Sequence, residues 1–143
     1  MRGRLVELDP TNVERARERL RTAGNDRLEV VCTDAGRSDA YVDAVPADLV
    51  LVCGVFGNIV DADIETTIRS LPSLCAPGAW VVWTRHPRVL GVIPSVERWF
   101  AESGFTAVST VIGEGDLFGA GAQRFAGTPS PHVPGVRLFD FVR

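Results

Sequence analysis

The sequence contains no lysine, so all 15 of its Lys and Arg residues are arginine, and its formal net charge is −3. A chain with this acidic balance lacks the basic surface that nucleic-acid binding requires. No apolar run approaches the roughly 20 residues of a transmembrane helix, and the N-terminal stretch lacks the apolar segment of a secretory signal. We therefore expect a cytoplasmic protein that binds neither nucleic acid nor a membrane.

Cysteine and histidine are also scarce. The three cysteines, Cys32, Cys53 and Cys75, form no Cys-x-x-Cys pair, and the chain has only 2 histidines. Isolated cysteines in a reducing cytosol are typically small buried apolar residues. Together with the histidines they offer too few ligands for a metal site. We expect three buried cysteines and no bound metal.

The 143 residues, 45% of them hydrophobic, fit a single globular domain spanning residues 1–143. Strand-like and helix-like segments alternate, which predicts a Rossmann-like α/β fold, a mostly parallel sheet with helices on both faces. Three closely spaced strand-like runs near the C-terminus predict an antiparallel finish, because short connections cannot join parallel neighbours. The predicted helices cover residues 10–23, 38–45, 61–71 and 94–103, and the predicted strands are residues 4–8, residues 28–32 and the runs ADLVLVCGVFG, GAWVVWTR, FTAVSTVI, LFGAGAQRF and VRLFDFV.

Two carboxylates, Glu7 and Asp9, stand where the first predicted strand ends. Asp9 precedes Pro10, and proline is favoured at the first helical position, so Asp9 is expected to be the helix N-cap. Glu7 has no such local role. At the carboxyl end of a parallel strand, where these sheets bind ligands, its carboxylate can accept both hydroxyls of a ribose. The alternative is a solvated or arginine-paired glutamate at a sheet edge.

Polar and flexible residues also follow the next two strands. Asp34, after the second strand, can accept a hydrogen bond from an exocyclic amine, while the Ala35 amide serves a ring nitrogen. Asp34 is alternatively a cap for the short helix, a role also open to Ser38. After the third strand, CGVFGN supplies glycine backbone that a ligand can approach closely. The alternative is a glycine-rich turn with Phe56 in the core.

Few side chains are candidates for catalysis. His86 follows the fourth strand and is a candidate base, with a loop histidine bonded to backbone as the alternative. Arg85 and Arg88 either attract an anionic substrate or are surface charges, and His132 is expected to be solvated. The sequence has no serine-hydrolase, phosphate-loop or metal-ligand motif, so no catalytic residue is assigned.

Taken in order, these segments resemble the class I S-adenosylmethionine-dependent methyltransferases. LVELDPTNVERARERL is similar to that family's second strand and following helix, VVCTDA to its adenine loop, and ADLVLVCGVFGNI to its fourth strand. LCAPGAWVVWTR and VERWFAESGF resemble its fifth strand and last helix. The resemblance implies S-adenosylmethionine as cofactor, with ribose at Glu7, adenine against Leu8 and read by Asp34 and Ala35, and the methionine part near Cys53 and Gly54.

The family's first strand and its G-x-G-x-G loop have no counterpart in this sequence. That strand lies between the second and fourth strands, so we expect two open strand edges that pair with each other or with another chain. The resemblance implies an N-terminally shortened methyltransferase for a small-molecule acceptor, or a non-catalytic module that forms a homodimer or binds a partner chain. A nicotinamide-dependent Rossmann enzyme is a third alternative, because Glu7 also suits that ribose. We expect weak or absent cofactor binding by this chain alone.

Overall fold

The computed structural model describes residues 2–85, 91–113 and 118–142. The chain divides into two compact units. The first unit consists of Met1–Ala44 and Pro134–Arg137, and the second of Val45–Val133 and Leu138–Arg143. Among the described residues, no helix has both the length and the apolar character needed to cross a membrane.

The first unit is a strand–helix–strand arrangement, β1 (Gly3–Glu7), α1 (Pro10–Thr22) and β2 (Leu28–Cys32), followed by a 3-10 turn at Ser38–Tyr41. The two strands are parallel and in register from their first residues to their last. Because α1 links them as a crossover, both strands end at the same edge of the sheet.

Helix α1 forms where the sequence supplies a start signal and an apolar stripe. The Asp9 side chain accepts hydrogen bonds from the backbone amides of the first turn, and Pro10 takes the first helical position, which confirms the predicted N-cap. Val13 is buried. On the exposed side, the ion pairs Glu14–Arg17 and Glu18–Arg21 form at i,i+3 spacing.

The second unit holds a four-stranded sheet with the order β3-β4-β6-β5. Strands β3 and β4 are parallel, whereas β6 is antiparallel to both β4 and β5. In chain order its elements are β3 (Ala47–Val52), α2 (Asp61–Ser70), a 3-10 turn (Leu71–Ser73), β4 (Cys75–Arg85), α3 (Ile93–Glu102), β5 (Phe105–Ile112) and β6 (Gly119–Phe125).

Aromatic side chains from the helix and strands form the core of the second unit. The ring of Phe105 lies 5.4 Å from that of Phe100 on α3 and 4.8 Å from that of Phe125 on β6, measured between ring centroids. Trp83 on β4 is fully buried. A Cβ at Gly121 would lie 2.4 Å from Trp83 Cε2, so the indole occupies the space that glycine leaves open on the neighbouring strand.

The predicted fold class is confirmed, with parallel strands followed by an antiparallel C-terminal part. Three predicted helices differ from the observed ones by one residue at one or both ends. The fourth, residues 38–45, is only the short 3-10 turn, which ends before Asp43, a residue with φ 65°. Ser38 does not cap it, because the Ser38 hydroxyl instead accepts a hydrogen bond from the Val136 amide at 2.9 Å.

The predicted strand VRLFDFV is wrong. Within this segment the structure has only two isolated bridges, Arg37↔Arg137 and Ile59↔Phe141. The segment crosses from the first unit to the second after Arg137, so its backbone groups bond to different loops in turn. Val136 bonds to Ser38, and Val142 donates to the Asn58 carbonyl at 2.8 Å. An apolar pattern alone does not distinguish such a segment from a strand.

Candidate functional site

The first unit brings four of the predicted site residues to one sheet edge. Glu7 and Cys32 are the last paired residues of β1 and β2, and the Thr33 amide donates to the Glu7 carbonyl at 3.0 Å. Leu8 directly follows β1, while Asp34 and Ala35 follow β2 one residue later. The carboxyl ends of parallel strands are where open α/β sheets bind ligands.

Glu7 has a structural role that the sequence did not indicate. Its Oε1 accepts a hydrogen bond from the Asp9 amide at 2.9 Å, so the prediction that it has no local role is wrong. This bond fixes the carboxylate at the strand end, beside the start of α1. Within the described part of the chain, no donor is bonded to Oε2, which leaves that oxygen available to a ligand hydroxyl.

Leu8 and Cys32 give this edge an exposed, largely apolar surface. The Leu8 side chain is 60% exposed, and the Cys32 thiol lies 3.6 Å from the Leu8 carbonyl oxygen. Cys32 and Cys53 are both exposed and only Cys75 is buried, so the prediction of three buried cysteines is wrong for two of them. Both thiols are exposed because their residues lie at the ends of strands.

Asp34 uses both carboxylate oxygens. Its Oδ1 accepts the Gly36 amide at 2.8 Å, and its Oδ2 accepts the Arg137 guanidinium at 2.5 Å. Burial acts to raise the pKa of Asp34, but the hydrogen bonds from Arg137 and Gly36, with the charges of Arg137 and Arg37, lower it overall. The lowered pKa keeps Asp34 ionised. Its carboxylate is bonded to Gly36 and Arg137 and does not cap the 3-10 turn.

Tyr41 fixes the loop that follows Asp34. Its hydroxyl donates to the Ala35 carbonyl at 2.7 Å, and burial, with the nearby charge of Asp34, raises the pKa of Tyr41 to about 12. The loop backbone is thus held by a side chain that remains a hydrogen-bond donor at neutral pH. Tyr41 and Arg137 were both missed by sequence reasoning, and Arg137 lies 103 positions from Asp34 with no local signal to connect them.

In the second unit, the backbone of Gly54 is open but fixed in position. Gly54 has φ +73°, and no atom lies within 4 Å of where its Cβ would be. Its amide donates to the Thr84 hydroxyl at 3.1 Å, and its carbonyl accepts the Asn58 side-chain amide at 2.8 Å. Phe56 is fully buried, which confirms the reading of that residue as core. Thr84 and Asn58 were not among the predicted site residues.

The predicted roles of Arg85 and His132 are wrong. Arg85 is 6% exposed and donates to the Phe56 carbonyl at 2.8 Å and to Asp61 at 3.3 Å. It therefore holds the turn after β3 and is neither a surface charge nor an anion attractor. The ring nitrogens of His132 are shielded from solvent and have no hydrogen-bond partner in the described part of the chain. His86 and Arg88 lie outside the described residues.

Ionisable residues do not gather into a metal centre in the parts of the chain that the structure covers. Among residues 2–85, 91–113 and 118–142, no group of three or more His, Cys, Asp or Glu side chains is arranged to hold a metal ion. The polar groups that the structure does bring together are carboxylates, which accept hydrogen bonds from hydroxyl and amine groups, and backbone amides, which donate to acceptor atoms.

No protein-family model matches the chain, and no curated protein is similar to it in sequence. Solved structures are similar to it in fold. N-methyltransferase NodS from Bradyrhizobium japonicum, solved with S-adenosylhomocysteine, has a TM-score of 0.66 at 19% identity over 88% of this chain. The chain has a methyltransferase fold. Magnesium protoporphyrin IX methyltransferase from Synechocystis, also solved with S-adenosylhomocysteine, has a TM-score of 0.63 at 11% identity over 85% of this chain.

A third methyltransferase-fold neighbour is an S-adenosylmethionine-dependent methyltransferase from Clostridium acetobutylicum, with a TM-score of 0.65, 8% identity and 89% of this chain covered. The chain spans 67% of NodS, 63% of the Synechocystis enzyme and 76% of the Clostridium enzyme. Likeness at these identities establishes the class I methyltransferase fold. The ligand roles of Glu7, Leu8, Asp34, Ala35, Cys53 and Gly54 remain predictions.

Proposed function

We propose that this chain is the adenosine-binding core of an S-adenosylmethionine-dependent methyltransferase that acts on a small-molecule acceptor. The observation that supports it most directly is that Glu7 ends β1 and Asp34 lies just after β2, two parallel strands that end at the same sheet edge, in a fold whose solved neighbours include methyltransferases with S-adenosylhomocysteine.

The residues at this edge suit an adenosine group. The Glu7 carboxylate accepts hydrogen bonds from the ribose hydroxyls, and the exposed Leu8 side chain offers an apolar surface for the adenine ring. Asp34 accepts the exocyclic amine. The Ala35 amide, which has no intramolecular acceptor in the described part of the chain, donates to a ring nitrogen.

When bound, the cofactor supplies an electrophilic methyl group on its sulfonium. The chain's own contribution is to bind and orient the adenosine end, because methyl transfer depends mainly on holding the acceptor in line with the methyl group. In the second unit, the open backbone of Gly54, fixed by Thr84 and Asn58, is the predicted contact for the methionine part.

Replacement of Glu7 tests the proposal. Glu7→Gln keeps an acceptor for the Asp9 amide but removes the charge, so we expect S-adenosylhomocysteine to bind about tenfold more weakly in an NMR titration, equivalent to about 1.4 kcal/mol. Glu14→Gln, on the exposed side of α1, is the matched control and should bind as the wild type does. Equal affinity for Glu7→Gln and wild type would refute the ribose assignment, and tighter binding of NAD than of S-adenosylhomocysteine would favour the nicotinamide alternative.

A second proposal concerns the open strand edges. Among the described strands, β3 has one hydrogen-bonded neighbour, β4, and β1 has one neighbour, β2. Leu49 and Leu51 on β3 are 43% and 62% exposed, and Leu5 on β1 is 43% exposed. A strand that is apolar on both faces and open at one edge is typical of a sheet interior. We propose that a second polypeptide pairs with β3. If the chain catalyses no methyl transfer, this pairing is its function as a non-catalytic module.

Self-association of the purified chain tests this second proposal in the absence of any other partner. We expect the purified chain to form a dimer in sedimentation velocity, and Leu51→Glu to shift it to the monomer, because a charge beside the open edge disfavours strand pairing. Val108→Glu is the control, since Val108 is 54% exposed on β5 at the opposite edge of the sheet. A wild-type chain that stays monomeric at every concentration contradicts self-association through β3.

A further inference from the structure

The loop that carries Asp34 is joined to a segment near the end of the chain. Residues Pro134–Arg137 belong to the first unit, although the residues on either side of them belong to the second. The Ser38 amide donates to the Val136 carbonyl at 3.0 Å, and the Val136 amide donates to the Ser38 hydroxyl at 2.9 Å. Both bonds lie directly beside the isolated bridge between Arg37 and Arg137.

This arrangement brings the Arg137 guanidinium to the Asp34 carboxylate. The two side chains form an ion pair, and Asp34 is simultaneously bonded to the Gly36 amide. The carboxylate is therefore held from both sides, by its own loop through one oxygen and by the distant segment through the other.

We propose that Arg137 is a positioning residue for adenine recognition, which holds the Asp34 carboxylate in place to accept the exocyclic amine. The inference rests on the proposed function, since it assigns a role to Arg137 only if Asp34 reads adenine. Unlike the residues proposed to contact the ligand, Arg137 acts through another side chain and does not itself contact the ligand.

The existing bonds leave Asp34 able to accept another. An ionised carboxylate has about four lone-pair sites, and the Gly36 amide and the Arg137 guanidinium each use one oxygen. An adenine amine can therefore bond to Asp34 without displacing Arg137. What Arg137 changes is the orientation and the ionisation of the carboxylate.

The pH dependence follows from the groups around Asp34. Among the described residues, the ionisable side chains that interact with it are Arg137, Arg37 and Tyr41. Burial alone would raise the pKa of Asp34, and Arg137 is the neighbour that both bonds to it and attracts it. Without Arg137, only the Gly36 hydrogen bond and the Arg37 charge oppose the effect of burial, so the pKa of Asp34 rises and the carboxylate protonates at a higher pH. Ligand binding to the carboxylate is then lost earlier as the pH falls.

Two measurements on the purified chain test the proposal. In the first, without ligand, the titration of the Asp34 carboxyl is followed by NMR in the wild type, in Arg137→Met and in Arg37→Met. In Arg137→Met, the Asp34 carboxyl should titrate at higher pH than in the wild type, and the Ser38 amide hydrogen should exchange with solvent faster. Arg37→Met, which removes a charge but no hydrogen bond to Asp34, should titrate close to the wild type. Arg137→Lys should lie between the wild type and Arg137→Met.

In the second measurement, S-adenosylhomocysteine is titrated at pH 7 and at about pH 4.5, just above the ordinary range of aspartate. On going to the lower pH, Arg137→Met should lose roughly threefold or more in affinity beyond what the wild type loses, because the other proposed ligand groups are the same in both proteins. Arg137→Met that binds like the wild type at both pH values overturns the inference and leaves the proposed function intact. No saturable binding at millimolar S-adenosylhomocysteine, either by this chain or by a form with a glycine-rich strand, loop and helix added before β1, overturns the proposed function. An unchanged Asp34 titration in Arg137→Met overturns the positioning role whatever the ligand result.

Discussion

Polar side chains in this chain are held by partners far away in sequence. Asp34 bonds to Arg137, 103 positions away, and buried Arg85 bonds to Phe56 and Asp61, which precede it by 29 and 24 positions. A buried arginine is stable only with such partners, because an unpaired charge away from water is costly. From the sequence alone, these aspartate and arginine residues are interpreted as surface charges or as ligand-binding residues.

The exposure of the three cysteines gives a prediction at the residue scale. Cys32 and Cys53 are exposed, while Cys75 is buried and its burial raises the pKa of its thiol to about 12. Because the thiolate is the reactive form, we expect a thiol reagent at neutral pH to label Cys32 and Cys53 quickly and Cys75 only after unfolding. Mass spectrometry of the labelled peptides is the measurement. Rapid labelling of Cys75 in the folded chain would show that β4 is not packed as described.

Individual site residues were partly predictable from the sequence. The positions of Glu7 and Asp34 after strands were enough to place both at one sheet edge, because parallel strands end together. Their hydrogen bonds were not predictable. Glu7 bonds to the Asp9 amide only because the chain turns sharply into α1, and Asp34 finds Arg137 only through tertiary contact.

At the scale of elements, local signals located the helices well. The Asp9-Pro10 start of α1 and the proline after α2 are signals with a direct physical cause, and the observed ends agree within one or two residues. The C-terminal segment from Val136 was predicted wrongly as a strand. Its apolar alternation is real, but its backbone groups are bonded by loops of two different units.

The contact between β4 and β6 gives a prediction at this scale. A methyl group at Gly121 would lie 2.4 Å from the buried indole of Trp83, and a side chain forced into a packed core typically costs about 1–3 kcal/mol. We expect Gly121→Ala to lower the free energy of unfolding by this amount in urea denaturation. Gly91→Ala is the matched control, because no atom lies within 4 Å of its Cβ position, and its effect should stay within about 0.5 kcal/mol. Equal effects of the two substitutions would contradict the described packing of Trp83 against β6.

At the scale of the whole molecule, the comparisons establish the fold but not the function. The methyltransferase fold rests on neighbours with TM-scores of 0.63 to 0.66, whereas their identities of 8% to 19% carry no residue roles to this chain. The first unit presents carboxylates suited to adenosine, and β1 and β3 each have one strand neighbour among the described strands. Under the proposed function, the first unit binds the adenosine part of the cofactor, and residues 1–143 contain no G-x-G-x-G segment to contact the methionine group.

Calorimetric titration of residues 1–143 with S-adenosylhomocysteine tests this central claim most directly. Each lost backbone contact to the methionine part costs about 1 kcal/mol, so the loss of several moves a micromolar site toward millimolar. We expect a dissociation constant in the millimolar range, and micromolar binding when a glycine-rich strand, loop and helix are added before β1. Micromolar binding by residues 1–143 alone would contradict the account and would mean that another element of this chain contacts the methionine group.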